Sequence, residues 1–352
     1  MDAARLTAYK ILRLVEGGGY ASDLLATRTQ SLAPRDAGLA TELVLGILRR
    51  RAQLGFLIRH YSGHPPEKLD AEVRLALEMG IFQIRYLERI PKHAAVDTSV
   101  ELVRRARKRS ATGFVNAVLR KVSRAPLEWP DRATRLSTPL WLLESWERQF
   151  GAETAEKIAA EFLKPAPSTV NPATGRIQDP GAQEIVPLLD LQPGHRFLDL
   201  CAAPGNKTAQ AALSGADCVA CDRHFSRLRL LKDLPVKLVV LDATQPLPFS
   251  VPFDRILVDA PCSGTGTLGR NPEIKWRLTP EKVLELQRLQ RALLASAMER
   301  LAPGGRLVYA TCSLEQEENE EVVNRWNPIG TRRWLPGSGP GDGFFAAVIT
   351  CG

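Results

Sequence analysis

Two cysteines in this chain sit among neighbours that a structural thiol does not need. Cys262 lies in Asp259-Ala260-Pro261-Cys262-Ser263-Gly264, and Cys312 lies in Thr311-Cys312-Ser313. Each follows an apolar run, Ile256–Val258 and Arg306–Tyr309, that reads as a strand. Hydrogen-bonded strands lie about 5 Å apart. If these two are neighbours, both sulfurs face one pocket, where a thiolate would serve as a nucleophile. Two unrelated buried thiols are the alternative reading. Cys218 and Cys221 form a C-x-x-C without a second pair or a nearby histidine to complete a zinc set. They read as buried apolar residues, and no metal site is expected. Cys351, at the end of the chain, carries no signal.

Other strand ends are unusual too. The run from Arg196 leads into Asp199-Leu200-Cys201-Ala202-Ala203-Pro204-Gly205-Asn206-Lys207-Thr208. Small residues and Gly205 let backbone amides approach a ligand, and a helix starting near Asn206 offers its positive end. The second strand, Asp217–Cys221, ends at Asp222, where a carboxylate can bind both hydroxyls of a ribose. The third, Leu238–Leu241, ends at Asp242, and the fourth at Asp259. Three acidic ends beside a small-residue loop point to a cofactor that contains a nucleoside. Gly264–Gly269 matches G-x-G-x-x-G. It follows the fourth strand rather than the first, and Pro272 interrupts the helix that a dinucleotide site requires. It reads as a flexible loop near the substrate.

These loops need a sheet to hold them. From about residue 184, strand and helix patterns alternate, the clearest helix being Glu281–Leu301 with its stripe of Val283, Leu286, Leu289, Leu293 and Met298. Alternation of this kind predicts an α/β fold with a doubly wound, mostly parallel sheet. The first part differs. Residues 1–124 read as all helical, with patterns from Pro34 to the Arg49–Arg51 run, over Leu69–Leu87, Ala94–Arg107 and Gly113–Val122. Residues 125–180 hold Pro126, Pro130, Pro139 and a Pro/Ala/Thr/Gly-rich stretch, and read as a linker and connecting segment with a short helix after Pro139. The expected division is therefore 1–124, 125–180 and 181–352.

Composition narrows the class. The 352 residues are 44% hydrophobic and 24% charged, which excludes a disordered or collagen-like chain. No run of eighteen apolar residues is present, so no membrane span is expected. The amino terminus lacks the layout of a signal peptide, and the cysteines are expected to be reduced in a cytoplasm. The net charge is +8. Residues 1–124 carry about 22 basic and 12 acidic side chains, so the whole excess lies there. The densest run is Arg104-Arg105-Ala106-Arg107-Lys108-Arg109. An imbalance across a whole domain points to a polyanionic partner.

Asp199–Thr208, Asp259–Gly264 and Thr311–Ser313 resemble the motifs of RNA 5-methylcytosine methyltransferases that use S-adenosylmethionine. Residues 5–124 resemble the NusB-like RNA-binding domain of one branch, through Ser31–Arg50, Arg89–Val103 and Gly113–Lys121. Together they resemble the RsmB family of small-subunit ribosomal RNA (cytosine-C5) methyltransferases over most of the chain. The resemblance implies a class I, Rossmann-like methyltransferase domain preceded by the helical domain. It implies Cys312 as the nucleophile that adds to cytosine C6, with Cys262 assisting release and Asp259 holding the base. Cys201, Ala202, Ala203, Pro204, Gly205, Asn206 and Lys207 would cradle the methionine part of S-adenosylmethionine. Asp222 would take its ribose and Asp242 its adenine, with Asp259 close by. RNA, ribosomal RNA above all, would be the partner of a monomer. Thr265–Arg277, with Arg270, Lys275, Trp276 and Arg277, could grip the RNA; a core position for Trp276 is the competing reading.

The chain departs from the family in two places. Asn206 replaces a second glycine, a change that asparagine's tolerance of left-handed backbone makes harmless. Residues 151–180, and the stretch before Asp342-Gly343-Phe344-Phe345, are short. Against the methyltransferase stands an RNA-binding or ribosome-assembly factor with a vestigial catalytic domain, and a nicotinamide-dependent oxidoreductase that rests on the glycine loop alone.

Overall fold

The computed structural model describes residues 2–339 and 341–351. They separate into two compact units. One runs to Pro165 and takes in Leu268–Trp276; the other comprises Ala166–Thr267 and the chain from Arg277 onward.

The first unit is helical. It opens with Ala3–Glu16, and the expected patterns form as Pro34–Arg49, Ala71–Tyr86, Lys92–Arg105 and Thr112–Lys121. Local chemistry sets their ends. The Asp2 carboxylate accepts from Ala4 N–H at 2.8 Å, and Pro34 opens its helix without needing an amide partner. Ala21–Arg28 and Arg51–Ser62 are additional helices, the second burying a stripe of Leu54, Leu57 and Ile58. The core gathers Leu12, Leu43, Ile47, Leu57, Leu77, Phe82, Val103 and Leu119, all essentially buried.

The prolines at 126–139 do not leave a bare connector. Asp131 caps Arg132–Leu136 by accepting from Thr134 N–H at 2.6 Å, and Pro139 directly precedes Leu140–Phe150. A further helix, Ala152–Glu161, follows, and the buried Trp146 ring meets Phe162 at 5.8 Å.

The Leu268–Trp276 segment corrects two expectations. It is packed into the helical unit rather than flexible, and Lys275 is 1% exposed, so its charge cannot reach RNA. The Lys275 ammonium donates to the Arg49 carbonyl at 2.9 Å, and the Trp276 indole donates to the Leu48 carbonyl at 2.7 Å. In return the Arg49 guanidinium donates twice to the Gly269 carbonyl, at 3.0 and 2.8 Å. Glu273 accepts from Ala21 N–H at 2.8 Å. The Arg49–Arg51 run ends one helix and opens the next, with Arg49 buried at 4% exposure and Arg50 and Arg51 half-buried.

The second unit is a seven-stranded sheet: β1 Arg196–Asp199, β2 Asp217–Asp222, β3 Lys237–Val240, β4 Phe253–Asp259, β5 Leu301–Thr311, β6 Gly330–Trp334 and β7 Phe344–Thr350. Their order is β3-β2-β1-β4-β5-β7-β6. β1 to β5 pair in parallel, and β7 is antiparallel to β5 and β6. Alternate residues feed two cores. Leu198, Ile256, Val258, Leu307 and Tyr309 pack with Leu293 and Leu294 of the helix Pro280–Met298. Phe197, Leu257, Val308 and Ala310 pack with Ile185, Leu189 and Ala211. Both faces are covered, as a parallel sheet requires. The Gly-Thr-Arg-Arg-Trp sequence of β6 lacks the apolar alternation of a half-buried strand, whereas β7 is a buried apolar run, Phe-Phe-Ala-Ala-Val-Ile-Thr, that the five expected strands did not include.

Burial, and then the Arg49 and Arg50 charges, push Lys275 down to about 7. An unfolded lysine titrates near about 10.4. Between those values the unfolded chain holds the extra proton, so this residue makes stability rise with pH, by up to about 1.4 kcal/mol per pH unit. The Lys275→Met variant is expected to lose that slope, checked by urea unfolding of both proteins from pH 7 to 10.

Candidate active site

Chain order reverses at β1, since β2 and β3 lie to one side and β4 and β5 to the other. Ligands of such sheets bind where the order switches, outside the carboxyl ends of the strands. Asp199 ends β1 and Asp259 ends the adjacent β4. The helix Asn206–Ala212 reads both acids. Thr208 donates to the Asp199 carboxylate at 2.7 Å, and Lys207 donates to Asp259 at 2.6 Å.

The loop between them turns at Gly205, whose φ of 99° suits a residue without a side chain. A Cβ there would also lie 2.6 Å from Leu231 Cγ. Asn206 has no left-handed angle to tolerate. It begins the helix, and its amide donates to the Ile177 carbonyl at 3.0 Å. Ala202 and Ala203 are buried, and Pro204 is exposed.

Charge is concentrated here. Burial pushes Asp199 up to about 7, and its Oδ1 is buried without a hydrogen-bond partner. Burial raises the Cys201 thiol well above its ordinary value, with Asp199, Asp259 and Asp222 adding to the effect. Burial opposes the charge of Lys207, yet Asp259, Cys312 and Asp199 hold its pKa above that of an ordinary lysine.

Asp222 is 6% exposed at the end of β2. One carboxylate oxygen accepts from His224 N–H at 2.9 Å, and the other lies 3.9 Å from Arg227. Asp242 lies just past β3 and is exposed. Thr244 engages one of its oxygens through hydroxyl and backbone N–H, at 2.6 and 3.0 Å, which lowers its pKa. A buried, unpartnered acceptor, two further strand-end carboxylates and a tight loop fit a nucleoside cofactor whose amino-acid end is cationic. Among the described residues no cluster of three or more histidine, cysteine or acidic side chains could hold a metal ion.

The two cysteines meet. β4 and β5 pair in parallel with Asp259 opposite Ala310, so the loops that follow leave the sheet side by side. Cys262 Sγ and Cys312 Sγ lie 3.3 Å apart, both half-buried. The hydrogen bond to Cys312, and then burial, push the Cys262 thiol well above its ordinary value. Cys218 and Cys221 are buried strand residues, and burial raises them to about 11 and about 12.

Gly266, within the glycine pattern, serves packing. Its N–H donates to the Cys312 carbonyl at 2.9 Å, and its carbonyl accepts from Gly343 N–H at 2.7 Å. A Cβ on Gly266 would lie 2.1 Å from the Gly343 oxygen and 2.8 Å from that of Cys312. Glu318 lies beneath both thiols and gives no sequence sign. It belongs to the Glu-rich run Glu315–Glu321, which reads as solvated although Glu315, Glu318 and Asn319 are buried.

The family described as 16S rRNA methyltransferase RsmB/F matches residues 186–329, and the NusB family matches residues 2–124. Ribosomal RNA small subunit methyltransferase B of Thermus thermophilus is 37% identical, the match covering 91% of this chain and 86% of the relative. The Salmonella arizonae protein of the same name is 31% identical, over 98% of this chain and 97% of the relative. That alignment spans 418 positions, so the relative carries segments that these 352 residues lack. Among solved structures, PH0851 shares the fold with a TM-score of 0.78 at 22% identity over 97% of each chain. A methyltransferase homologue from Pyrococcus horikoshii has a TM-score of 0.53 at 26% identity, covering 62% of this chain and 97% of that one. The helical and sheet units thus match the expected pair of folds.

Gly266→Ala forces either the Gly343 backbone or the Cys312 carbonyl to move. It is expected to lower stability by about 1–3 kcal/mol, read from urea unfolding.

Proposed function

This chain belongs to the RsmB/F family of small-subunit ribosomal RNA methyltransferases, and from that membership we propose that it methylates C5 of a cytosine in RNA through a covalent adduct with Cys312. The observation that carries this reading is the 3.3 Å approach of Cys262 and Cys312 beside the Lys207–Asp259 pair.

C5 of cytosine is a weak nucleophile. Addition of the Cys312 sulfur to C6 gives C5 enamine character, and after methyl transfer the C5 proton must leave before the sulfur is eliminated. Covalent catalysis divides one hard step into easier ones. S-adenosylmethionine supplies an electrophilic methyl group on a cationic sulfonium. Residues Cys201–Lys207 hold its methionine portion, Asp222 its ribose and Asp242 its adenine edge, with Asp259 bordering both cofactor and base. The orphaned Asp199 oxygen beneath the loop supports a cationic group there.

Lys207 stays charged and interacts with Cys312 as well as Asp259, so it balances negative charge on the attacking sulfur. Asp259, paired with Lys207, is the acceptor for the exocyclic amine of cytosine. The hydrogen bond to Cys312 and then burial raise the Cys262 thiol above its ordinary value. At 3.3 Å from Cys312 it stands within reach to protonate the departing sulfur. The target base must leave its stack to reach this pair. The basic excess of residues 1–124 supports RNA as the partner, ribosomal RNA being the substrate class of the named relatives.

Incubation with labelled S-adenosylmethionine and ribosomal RNA from unmethylated cells, followed by digestion to nucleosides, is expected to give labelled 5-methylcytosine. Cys312→Ala should abolish the label, and Cys262→Ala should accumulate a protein–RNA adduct visible on a denaturing gel. Full activity of Cys312→Ala would overturn the mechanism. Failure of the intact protein to bind S-adenosylmethionine in calorimetry would favour a vestigial catalytic domain.

A further inference from the structure

The polar groups beneath the two thiols converge on one side chain. Glu318 is fully buried. Its Oε1 accepts from Ser263 N–H at 2.8 Å and from the Gln290 amide at 2.9 Å. Its Oε2 accepts from the Ser313 hydroxyl at 2.6 Å and from the Ser263 hydroxyl. Ser263 and Ser313 directly follow Cys262 and Cys312, and their hydroxyls lie 3.1 Å apart.

The frame around this carboxylate is bonded as well. The Tyr309 hydroxyl of β5 donates to the Glu318 carbonyl at 2.6 Å. The Asn319 amide donates to the Ser313 carbonyl at 3.0 Å. Gln290 also donates to the carbonyl of Pro261, the residue before Cys262, at 2.9 Å. A buried carboxylate costs several kcal/mol unless donors satisfy it, and well-packed apolar residues often serve stability equally well. Four donors from both cysteine loops and one helix are what a carboxylate can organise and an apolar side chain cannot.

We infer that Glu318 is the positioning residue of the thiol pair: by bonding Ser263 and Ser313 at once, it holds Cys262 and Cys312 at the separation their chemistry needs. The inference deepens the proposed reaction and rests on Cys312 being its nucleophile. Glu318 touches no reacting atom and acts through the two serines.

Two substitutions in the full-length protein separate geometry from the mere presence of a side chain. Glu318→Ala severs all four bonds. Glu318→Gln can keep the wiring, its amide oxygen accepting from Ser263 N–H and Gln290 while its NH2 donates to the two hydroxyls. With labelled S-adenosylmethionine and RNA, Glu318→Ala is expected to lower kcat on the order of 100-fold, with KM for both substrates little changed. Glu318→Gln is expected to recover kcat to within a few-fold of the parent. Diamide, which takes two electrons and two protons from a pair of thiols, gives a readout without turnover. Closure of the Cys262–Cys312 disulfide, followed by peptide mass, should be slower in Glu318→Ala than in the parent or in Glu318→Gln.

Parental kcat and disulfide rate in Glu318→Ala would overturn the inference, as would a Glu318→Gln variant equally impaired in both. If Glu318→Ala gives no cooperative melt, the Ser263→Ala/Ser313→Ala double variant takes its place. It keeps the Ser263 N–H and Gln290 bonds, and the same two losses are expected; parental values would again overturn the inference. An intact protein that closes the disulfide but methylates no RNA would instead defeat the Cys312 mechanism, leaving the disulfide rates to judge Glu318.

Discussion

The parallel pairing of β4 with β5 is the constraint on which the site depends. It sets Asp259 opposite Ala310, so that Cys262 and Cys312, remote in sequence, emerge from neighbouring strand ends. A register slip of one residue would turn alternate side chains to the other face. Apolar residues that face two separate cores prevent that slip. Ile256, Val258, Leu307 and Tyr309 fill one core, while Leu257, Val308 and Ala310 fill the other. The energy that fixes the register of these strands is thus largely hydrophobic and lies below the site.

A second layer of order is polar. Lys207 bonds Asp259 and also interacts electrostatically with Cys312 and Asp199, so a single ammonium links the strand-end carboxylates to a thiol. Glu318 does for the two loops what Lys207 does for the charges. Each is a polar group drawn into the interior, and each is tolerable only because its hydrogen-bond partners are in place. Gly266 completes the frame by letting the Gly343 and Cys312 backbones come close to its own. The two cysteine loops are therefore tied both by main-chain hydrogen bonds at Gly266 and by the bonds that Glu318 accepts.

The Leu268–Trp276 segment begins a few residues after Cys262 in sequence and is anchored among the first helices by Arg49, Lys275 and Trp276. Its Lys275 is internal, whereas Arg270 is half-buried. Exposed cations of the helical unit include Arg104 and Arg105, both of which pair with Glu101.

Much of the chemistry was legible before any coordinates. Asp199, Asp222, Asp259 and the two cysteines all stand at or just beyond strand ends, because apolar runs flanked by small polar residues mark those ends directly. Most helices of residues 3–121 followed from apolar spacing, Ala21–Arg28 and Arg51–Ser62 being the exceptions. What the sequence could not decide was which polar residues are inside. Lys275, Arg49 and Glu318 look like surface residues by type, and their burial depends on partners dozens to hundreds of positions away. β6 is an edge strand with few apolar contacts, while β7 is an apolar run whose place between β5 and β6 depends on antiparallel pairing across the sheet. Local patterns report local preferences, so the sequence by itself determined the elements and the residues at their ends. The 3.3 Å meeting of two sulfurs, and the carboxylate that secures it, arise only when distant segments share one interior. Only the tertiary structure decided those.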